Sequence, residues 1–351
     1  MGIKRVFHIG PADSIGGMSK VIHTLNSNPP KDWSSDIIPT HSDGSILSKY
    51  RIWRSSMRKI KSLIASNSVE IMHIHVTHSV SWWRKRKIIK LCNKNNVYTI
   101  VHIHSGRFND FCNSLMGFTG ISVKNILNNN NTTTVVLERR WLNLLRKWIP
   151  EDSIVVNNPS KKINFTEREI IGSQIKLLML ARDSKGKGHI FAKKIIKELI
   201  NSGRNVKLIM TGKKYITTEE DLEGIIVCKG WITEKEKYDL MLETDFLILP
   251  SEFEGSSMSV IEAIMCNLPC IVSPASSETI GINDLVVSLE DPKDWSGRII
   301  SLSDKDIYNR ILEKLEIQSH KYEIEEIKNK WREVYEDIYL KSNKSETNKI
   351  T

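Results

Sequence analysis

The sequence lacks long hydrophobic runs and is poor in cysteine. No apolar stretch among its 351 residues approaches 18 residues, so we expect no membrane-spanning helix. The first residues, MGIKRVFHIG, contain no apolar segment of the signal-peptide kind, so we expect no signal peptide. Five cysteines are an odd number in a long chain. This count indicates reduced thiols in a cytoplasmic protein and argues against a disulfide framework.

Motifs that hold metals or common cofactors are also missing. The segment Gly10–Met18 follows a predicted strand but fits neither the dinucleotide pattern G-x-G-x-x-G nor the P-loop pattern. Cys266 and Cys270 have no second Cys/His pair nearby that could complete a zinc site. No Asp-x-Asp pair follows a strand to form a dedicated metal–diphosphate site. We therefore predict neither a metal nor a cofactor.

Positive charge is concentrated in the first half of the chain. Residues 1–150 contain 22 Lys and Arg but only 7 Asp and Glu, whereas residues 151–351 contain 29 and 34. The overall composition, 40% apolar and 26% charged, is that of an ordinary soluble globular protein. We therefore expect the basic first half to meet an anionic partner.

Short apolar runs of strand length alternate with amphipathic stretches along the whole sequence. This alternation is typical of parallel β-sheets covered by helices, so the predicted fold class is α/β. The alternation restarts after the polar stretch 157–174, which predicts two domains. A last amphipathic helix is predicted near 320–340, and the polar segment 341–351 is predicted to be disordered. Ligands of such domains bind at the carboxyl ends of the strands.

The segment Ser251–Ala263 carries the clearest chemical pattern. It follows an apolar strand and opens an apolar helix. The backbone N–H groups at this opening favour a phosphate, and the residues that carry them are Gly255, Ser256, Ser257, Met258 and Ser259. Glu254 and Glu262 can accept hydrogen bonds from sugar hydroxyls, each contributing about 1.5–3 kcal/mol. Alternatively, both glutamates only stabilise the start of the helix.

Three further loops or strand ends carry candidate residues. Arg182 and Lys187 suit a diphosphate, although an isolated loop of this kind is also consistent with a solvated basic turn. Gly16 and Gly17 either let the backbone approach a ligand closely or form a plain tight turn. His104 ends a strand, where it either hydrogen-bonds and handles protons or is structural.

Two basic stretches with tryptophan account for much of the positive charge of the first half. Tryptophan beside lysine and arginine is typical of a helix in a lipid headgroup layer. The first stretch, 48–66, is equally consistent with a helix that packs on its own sheet, and no known motif supports nucleic-acid binding. The residues of this predicted membrane or acceptor surface are Trp53, Arg54, Arg58, Lys59, Trp82, Trp83, Arg84, Lys85, Arg86 and Lys87.

These loops together resemble those of the retaining glycosyltransferases of family 4. Glu254 and Glu262 match the E-x7-E motif of that family, which is its most specific element. Arg182 and Lys187 match the spacing of the family's Arg and Lys-Gly pair, although Ala181 stands where a glycine often precedes the arginine. The resemblance covers most of the chain and is strongest from about residue 154 to residue 275.

The resemblance implies the GT-B fold, in which two Rossmann-like domains face a central cleft. It implies an acceptor-side domain over 1–157, a donor-binding domain over 158–320, and a helix over 321–340 that crosses back onto the first domain. Weaker matches to loops near the donor or the cleft are Gly16, Gly17, His104, Gly212 and Trp231.

The resemblance also implies a reaction, namely metal-independent transfer of a sugar from a nucleotide-sugar donor with retained anomeric configuration. Arg182 and Lys187 would stabilise charge on the leaving diphosphate, and His104 would lie in the catalytic cleft. Glu254 would hold the donor sugar and Glu262 the ribose. We expect the donor nucleotide to be UDP or GDP.

We expect a lipid-linked glycan acceptor, in the synthesis of a cell-surface polysaccharide or glycoconjugate. The first domain is then predicted to dock on the anionic inner face of the cell membrane, and no nucleic-acid partner is expected. The alternatives are another GT-B enzyme, such as an epimerase or a phosphorylase, and a non-catalytic membrane-binding protein of this fold. The sequence leaves the donor sugar, the linkage and the oligomeric state open.

Overall fold

The chain forms two compact units. A computed structural model describes residues 3–14, 16–163, 168, 172–212 and 222–350, with side chains described as far as Lys341. The first unit comprises Met1–Pro159 and Ile324–Thr351, and the second comprises Ser160–Glu323. The predicted domain boundaries therefore lie within three residues of the boundaries between these units.

The first unit is built on a six-stranded sheet in which all the paired strands are parallel, in the order β2-β1-β3-β4-β5-β6. Its strands are β1 (Lys4–Gly10), β2 (Trp33–Pro39), β3 (Ile71–Val76), β4 (Tyr98–Ile103), β5 (Thr132–Val136) and β6 (Ile154–Val155). The helices that connect them are α1 (Gly17–Ser27), α2 (Ile46–Ala65), α3 (Val80–Lys94), α4 (Phe108–Asn113), α5 (Phe118–Leu127) and α6 (Arg139–Leu145). Sequence patterning missed β2, because WSSDIIP has too short an apolar run.

The second unit is built on a five-stranded parallel sheet in the order β11-β10-β7-β8-β9. Its strands are β7 (Ile175–Leu180), β8 (Val206–Thr211), β9 (Ile226–Cys228), β10 (Phe246–Leu249) and β11 (Cys270–Val272). Its helices are α7 (His189–Asn201), α8 (Glu234–Glu243), α9 (Met258–Met265), α10 (Ser277–Ile280), α11 (Pro292–Leu302) and α12 (Lys305–Ser319). The α/β fold class predicted from the alternation is thus confirmed.

The last helix, α13 (Ile324–Ile350), belongs to the first unit. Glu336 joins it to the sheet, because its carboxylate lies 2.6 Å from Lys4 Nζ and accepts a 2.8 Å hydrogen bond from Trp33 Nε1. In place of the predicted disordered segment 341–351, the helix continues to Ile350. Residues 341–350 contain no glycine or proline to end it, and an ion pair links Lys341 to Asp337 four residues earlier.

Each sheet has its own hydrophobic core. Buried aliphatic side chains of β1, β3 and β4 pack against the inner faces of the helices in the first unit, and β7, β8, β10 and β11 do the same in the second. No helix in the described part of the chain is both long and apolar enough to span a bilayer.

The strand order reverses once in each sheet. In the first sheet β2 and β3 lie on opposite sides of β1, and in the second β8 and β10 lie on opposite sides of β7. In open parallel sheets, ligands bind outside the carboxyl ends of the strands at such a reversal. The β1/β3 edge and the β7/β10 edge are therefore the two positions where this fold is expected to bind ligands.

Candidate functional site

Two loops meet at the β7/β10 edge. The loop after β7 ends in Gly188, whose φ of 81° is in the left-handed region and where a Cβ would lie 2.0 Å from the Pro250 carbonyl oxygen. The Glu252 N–H donates a 2.8 Å hydrogen bond to the Gly186 carbonyl oxygen. The loop after β7 and the loop after β10 are thus packed backbone against backbone, and this contact requires glycine at 188.

Lys187 and Glu254 form an ion pair across these two loops. Lys187 Nζ lies 2.7 Å from Glu254 Oε1, and the carboxylate is the more buried of the two. Sequence analysis assigned both residues to one site, and the structure places them in direct contact. The pair holds an ammonium group and a carboxylate side by side at the sheet edge, where a bound ligand could contact both.

Glu262 forms a second ion pair with a residue that sequence analysis did not select. Lys237 Nζ in α8 lies 2.9 Å from Glu262 Oε2 in α9, and both side chains are largely buried. Lys237 stands in the charged stretch EKEK, which is typical of a solvated helix face. The sequence carries no signal for this contact, since only the packing of α8 in the second unit brings Lys237 to α9.

The start of α9 presents backbone donors between these two pairs. Ser257 is the N-cap residue but makes no side-chain capping bond, and its hydroxyl instead lies 3.0 Å from that of Ser259. Ser256 Oγ is buried and has no hydrogen-bond partner. The first N–H groups of a helix have no intrahelical acceptor, and Met258 and Ser259 carry such groups. With Gly255 just before them, these residues present the backbone donors on which the predicted phosphate site depends, and the binding of an anion there stays a prediction.

Gly212, which directly follows β8, and the loop after β9 extend the same edge. The Gly212 N–H donates a 3.0 Å hydrogen bond to the Gly230 carbonyl oxygen. Gly212 has a φ of 78°, and a Cβ there would lie 2.2 Å from the Ala181 carbonyl oxygen. Trp231 and Arg182 are both exposed. The predicted donor residues of the second unit therefore line four neighbouring loops, in the order β10, β7, β8 and β9.

At the β1/β3 edge, the glycine-containing loop is ordered around the start of α1. Gly16 is the N-cap residue, with a φ of 150°, and Gly17 begins the helix. Ser19 Oγ donates a 2.6 Å hydrogen bond to the Ala12 carbonyl oxygen, which holds the loop against the helix. Gly16 and Gly17 thus lie at the carboxyl end of β1 within the first unit, and their contact with a donor stays a prediction.

Four buried histidines and the half-buried His104 form two hydrogen-bonded chains beside this edge. One chain runs from His104 Nε2 to His75 Nδ1 (2.9 Å) and from His75 Nε2 to His8 Nδ1 (3.1 Å). A second runs from His102 Nδ1 to His73 Nε2 (3.1 Å), and from His73 Nδ1 to the Tyr335 hydroxyl of α13 (3.0 Å). His104, the predicted cleft histidine, is therefore oriented by His75.

Burial keeps these histidines neutral. It lowers the pKa of His8 to about 3, and it lowers the pKa of His104 to about 3 with a smaller contribution from the charge of Lys85. The pKa values of His73, His75 and His102 are lowered well below the ordinary value, also mainly by burial. An imidazole in this network therefore donates one proton and accepts one at neutral pH.

The same histidines are the described residues that could hold a metal ion. The ring nitrogens of His8, His73 and His75 lie within 4.8 Å of one another, as do those of His75, His102 and His104. The nitrogens are already hydrogen-bonded to one another, and His102 Nε2 alone among them is recorded as buried and unpartnered. A metal here would have to displace those bonds, so the absence of a metal from the reaction stays a prediction.

The structure divides the predicted membrane surface into buried and exposed residues. Trp82 is fully buried against Phe108, at a ring distance of 5.6 Å, and Lys85 is 1% exposed, so neither lies on a surface. Trp53 packs on the core of its own sheet, as the alternative for that stretch proposed. The exposed or half-exposed members are Arg54, Arg58, Lys59, Trp83, Arg84, Arg86 and Lys87.

The packing of α3 explains why Trp82 and Lys85 do not lie on the predicted membrane surface. In α3 the side chains of Trp82 and Lys85 are three residues apart and share the inner face, whereas Trp83 and Lys87 lie on the outer face. The guanidinium of Arg86 stacks over the Trp83 ring at 5.2 Å. Consecutive residues of a helix point about 100° apart, so the run WWRKRK cannot form one continuous surface.

Comparisons with known proteins agree with this architecture. Residues 174–305 match the family described as glycosyl transferases group 1. A 41.2 kDa protein from the cps region of Klebsiella pneumoniae is 22% identical over 94% of this chain and 99% of its own length. The matched family region contains both ion pairs of the β7/β10 edge.

Two solved structures show the likeness in fold. Sucrose-phosphate synthase from Thermosynechococcus elongatus superposes with a TM-score of 0.72 at 14% identity, over 96% of this chain and 99% of its own. A variant of S. aureus TarM, in complex with Fondaparinux, alpha-GlcNAc-glycerol and UDP, superposes with a TM-score of 0.61 at 16% identity. This chain covers about half of TarM, since the match spans 76% of this chain and 55% of that one. The predicted GT-B fold is confirmed, and the family match supports a glycosyltransferase.

Proposed function

We propose that this protein is a retaining, metal-independent glycosyltransferase of family 4. It transfers a sugar from a nucleotide-sugar donor to a lipid-linked glycan in the synthesis of a cell-surface polysaccharide. The observation that carries the proposal is the pairing of Lys187 with Glu254 and of Lys237 with Glu262 around the start of α9. This arrangement lies at the β7/β10 edge, inside the region that matches the glycosyltransferase family.

The donor fits this edge group by group. Glu262 is buried and held by Lys237, so its carboxylate can accept hydrogen bonds from both ribose hydroxyls. The diphosphate lies against the N–H groups at the start of α9, with Lys187 and Arg182 as its cations. Glu254 then accepts hydrogen bonds from hydroxyls of the donor sugar, while its 2.7 Å contact with Lys187 orients the carboxylate.

The reaction on this site breaks the bond between the anomeric carbon and the diphosphate oxygen. Lys187, Arg182 and the helix N–H groups stabilise the negative charge that grows on the departing diphosphate. The acceptor hydroxyl attacks from the same face that the diphosphate leaves, so the anomeric configuration is retained. Its proton passes to a diphosphate oxygen, which makes the products a glycoside and a nucleoside diphosphate.

The comparisons support the choice of substrates. TarM was solved in complex with UDP, and the near-full-length relative from Klebsiella pneumoniae lies in a cps region. A UDP-sugar is therefore the first donor to test, with GDP-sugars second. Capsular polysaccharide synthesis is the setting in which a lipid-linked glycan acceptor would be met.

An exposed apolar segment in the first unit supports docking on a membrane. Leu115, Met116, Phe118 and Ile121 are exposed by between 50% and 98%, and Leu115 and Met116 have positive φ angles of 51° and 55°. Trp83, from the predicted surface, contacts Phe111 in the preceding helix α4 at a ring distance of 6.2 Å. Apolar tips beside exposed cations are typical of a surface that inserts among anionic headgroups. We propose that it holds the enzyme on the inner face of the cell membrane.

The test is incubation of the protein with labelled UDP- and GDP-sugars, a membrane acceptor extract and EDTA. Transfer to the lipid fraction with retained anomeric configuration, read by NMR of the product, is the expected result. Inverted configuration, or loss of transfer in EDTA, would overturn the mechanism. Release of free epimerised sugar nucleotide or of sugar phosphate would instead identify an epimerase or a phosphorylase.

Glu262→Gln tests the donor site separately from the acceptor. Replacing the Glu262 carboxylate with an amide should weaken UDP binding about 30- to 100-fold, because two charge-assisted hydrogen bonds to the ribose become neutral ones. Isothermal calorimetry with UDP measures the change, and Glu243→Gln, an exposed carboxyl-to-amide change in α8, is the matched control. If both variants bind UDP like the wild type, Glu262 is not the ribose ligand.

A further inference from the structure

Lys85 is a buried cation at the carboxyl edge of the first sheet. It lies on the inner face of α3 and is 1% exposed. A helical side chain points back toward the N-terminus of its helix, and Lys85 Nζ accordingly lies 3.3 Å from Ser81 Oγ, one turn earlier. This weak contact is the one hydrogen bond that Nζ makes within the described part of the chain.

The surroundings of Lys85 add positive charge. Arg84 is half-buried, its Nη1 lies 3.1 Å from His41 Nδ1, and its Nε is buried without a partner. The charges of Arg84 and Lys85 both add to burial in lowering the pKa of His41. Burial and the Arg84 charge also lower the pKa of Lys85 itself to about 7.

Carboxylates near these cations are few. Asp43 raises the pKa of His41 and Asp110 raises the pKa of His78. In each case burial and a neighbouring arginine have larger effects and lower the pKa. Among the described residues, neither carboxylate forms an ion pair with Lys85 or Arg84. A buried ammonium without a carboxylate is unfavourable, and a bound anion would supply the missing negative charge.

The start of α3 offers the other half of an anion site. Its N-cap residue, Ser79, has a φ of 58° and makes no side-chain capping bond, which leaves the first-turn N–H groups to other acceptors. The helix follows β3, at the β1/β3 reversal of the strand order, where ligands of open sheets bind. His78 stands beside it, with Nδ1 2.6 Å from Ser105 Oγ.

We propose that the start of α3 binds a phosphate or diphosphate group of the acceptor, and that Lys85 is the buried charge that makes this site cationic. The proposal rests on the proposed glycosyltransferase function and names the chemistry of its acceptor. The anion contacts the first-turn N–H groups and Arg84, while Lys85 acts on it from beneath the helix. This assignment replaces the surface role that the sequence predicted for Lys85.

A structural role for Lys85 and a ligand-binding role predict opposite effects on stability. A lysine that holds the fold together would destabilise the protein when replaced by methionine, which has a similar length and no charge. A lysine whose countercharge comes from a ligand destabilises the ligand-free protein, because its ammonium is buried without a carboxylate. Lys85→Met should then melt at the same temperature as the wild type or higher.

The experiment uses the full chain saturated with UDP, so that the donor edge is occupied. Pyrophosphate and farnesyl diphosphate are titrated by calorimetry into the wild type, Lys85→Met and the control Lys90→Met, an exposed lysine of the same helix. Loss of the buried charge should weaken both ligands about tenfold or more and leave UDP binding unchanged. Lys90→Met should behave like the wild type.

Several outcomes overturn the inference. It fails if the wild type binds neither diphosphate, if Lys85→Met binds them unchanged, or if that variant melts lower. Dihexanoylphosphatidylglycerol binding better than farnesyl diphosphate would assign the site to a membrane headgroup instead. Arg84→Gln, which keeps the buried lysine, must also weaken pyrophosphate binding for the inference to stand.

These outcomes remain separate from the proposed function. If sugar transfer occurs but its KM for the acceptor is unchanged in Lys85→Met, the anion site is wrong and the glycosyltransferase stands. If the diphosphates bind in a Lys85-dependent way but no sugar is transferred, the anion site stands and the enzyme assignment is wrong.

Discussion

The two sheet edges of this protein treat charge in opposite ways. At the β7/β10 edge the key carboxylates are each paired with a lysine, at 2.7 Å for Glu254 and 2.9 Å for Glu262. At the β1/β3 edge Lys85 is buried without a carboxylate and the nearby histidines are neutral. This contrast is what the proposed functions predict, because an anion bound in the first unit would supply the negative charge that Lys85 lacks, whereas Glu254 and Glu262 already have cationic partners.

The difference follows from the chemistry that each edge is proposed to bind. A nucleotide sugar presents hydroxyls, which need ionised carboxylates, as well as a diphosphate, which needs cations. The ion pairs hold carboxylates and ammonium groups side by side at this edge, so both kinds of ligand group have a partner there. An acceptor that presents its own phosphate needs cations alone, and unpaired cations raise its local concentration.

The largest effect that would sharpen the comparison is the pH dependence of the first unit. Unfolded histidines bind protons below about pH 6.5, whereas buried His8 and His104 stay neutral until about pH 3. The unfolded state therefore binds more protons as the pH falls, and the free energy of unfolding decreases through that window. Each of these histidines should contribute about 2 kcal/mol of loss between about pH 7.5 and about pH 5.

Urea unfolding at the two pH values, read by tryptophan fluorescence, measures this loss. His8→Gln should reduce the pH-dependent loss by the contribution of one histidine. A free energy of unfolding that is equal at both pH values would show that the buried histidines are protonated in the folded state.

The next largest effect concerns the ion pair between Lys187 and Glu254 at the β7/β10 edge. Lys187→Ala removes the cation proposed to stabilise the leaving diphosphate, so kcat should fall about 100-fold or more. The exposed Lys185→Ala in the same loop is the matched control and should keep kcat within about threefold, since surface cations contribute little. Near-equal kcat values for the two variants would remove Lys187 from the transition state.

The smallest effect concerns the exposed cations of the first unit. Lys87→Gln should weaken binding to phosphatidylglycerol vesicles about fivefold, because one cation contributes about 1 kcal/mol at an anionic surface. Lys194→Gln, an exposed position of α7 in the second unit, should leave vesicle binding unchanged. Equal co-sedimentation of the wild type with phosphatidylcholine and phosphatidylglycerol vesicles would contradict docking through charge and break the comparison between the units.

The sequence pattern predicted the residues of the β7/β10 edge because they lie in short loops of fixed spacing. Glu254 and Glu262 are eight residues apart, and the strand before them and the helix after them are both apolar. Lys237 was missed because it belongs to another helix, within a charged stretch that is common on solvated surfaces. Its contact with Glu262 depends on how α8 and α9 pack in the second unit, which no local pattern encodes.

The first unit shows where local patterning misleads. The run WWRKRK suggested one membrane surface, but the helical rotation buries Trp82 and Lys85 and exposes Trp83 and Lys87. Four of the five histidines stand on β1, β3 and β4, and His104 directly follows β4. Strand alternation places His73 and His75 on one face, and it places His102 and His104 on one face as well. The order of the strands in the sheet places β1 beside β3, and the packing of α13 against the sheet covers them.

Three features could be read directly from the sequence: the alternation of strands and helices, the loops that carry the predicted donor residues, and the excess of positive charge in residues 1–150. These are local properties, set by side-chain periodicity, turn residues and composition. The tertiary structure was needed to show which charged side chains form ion pairs and which do not. Pairing and burial depend on contacts between residues far apart in the chain, and burial in turn sets whether an imidazole or an ammonium keeps its proton.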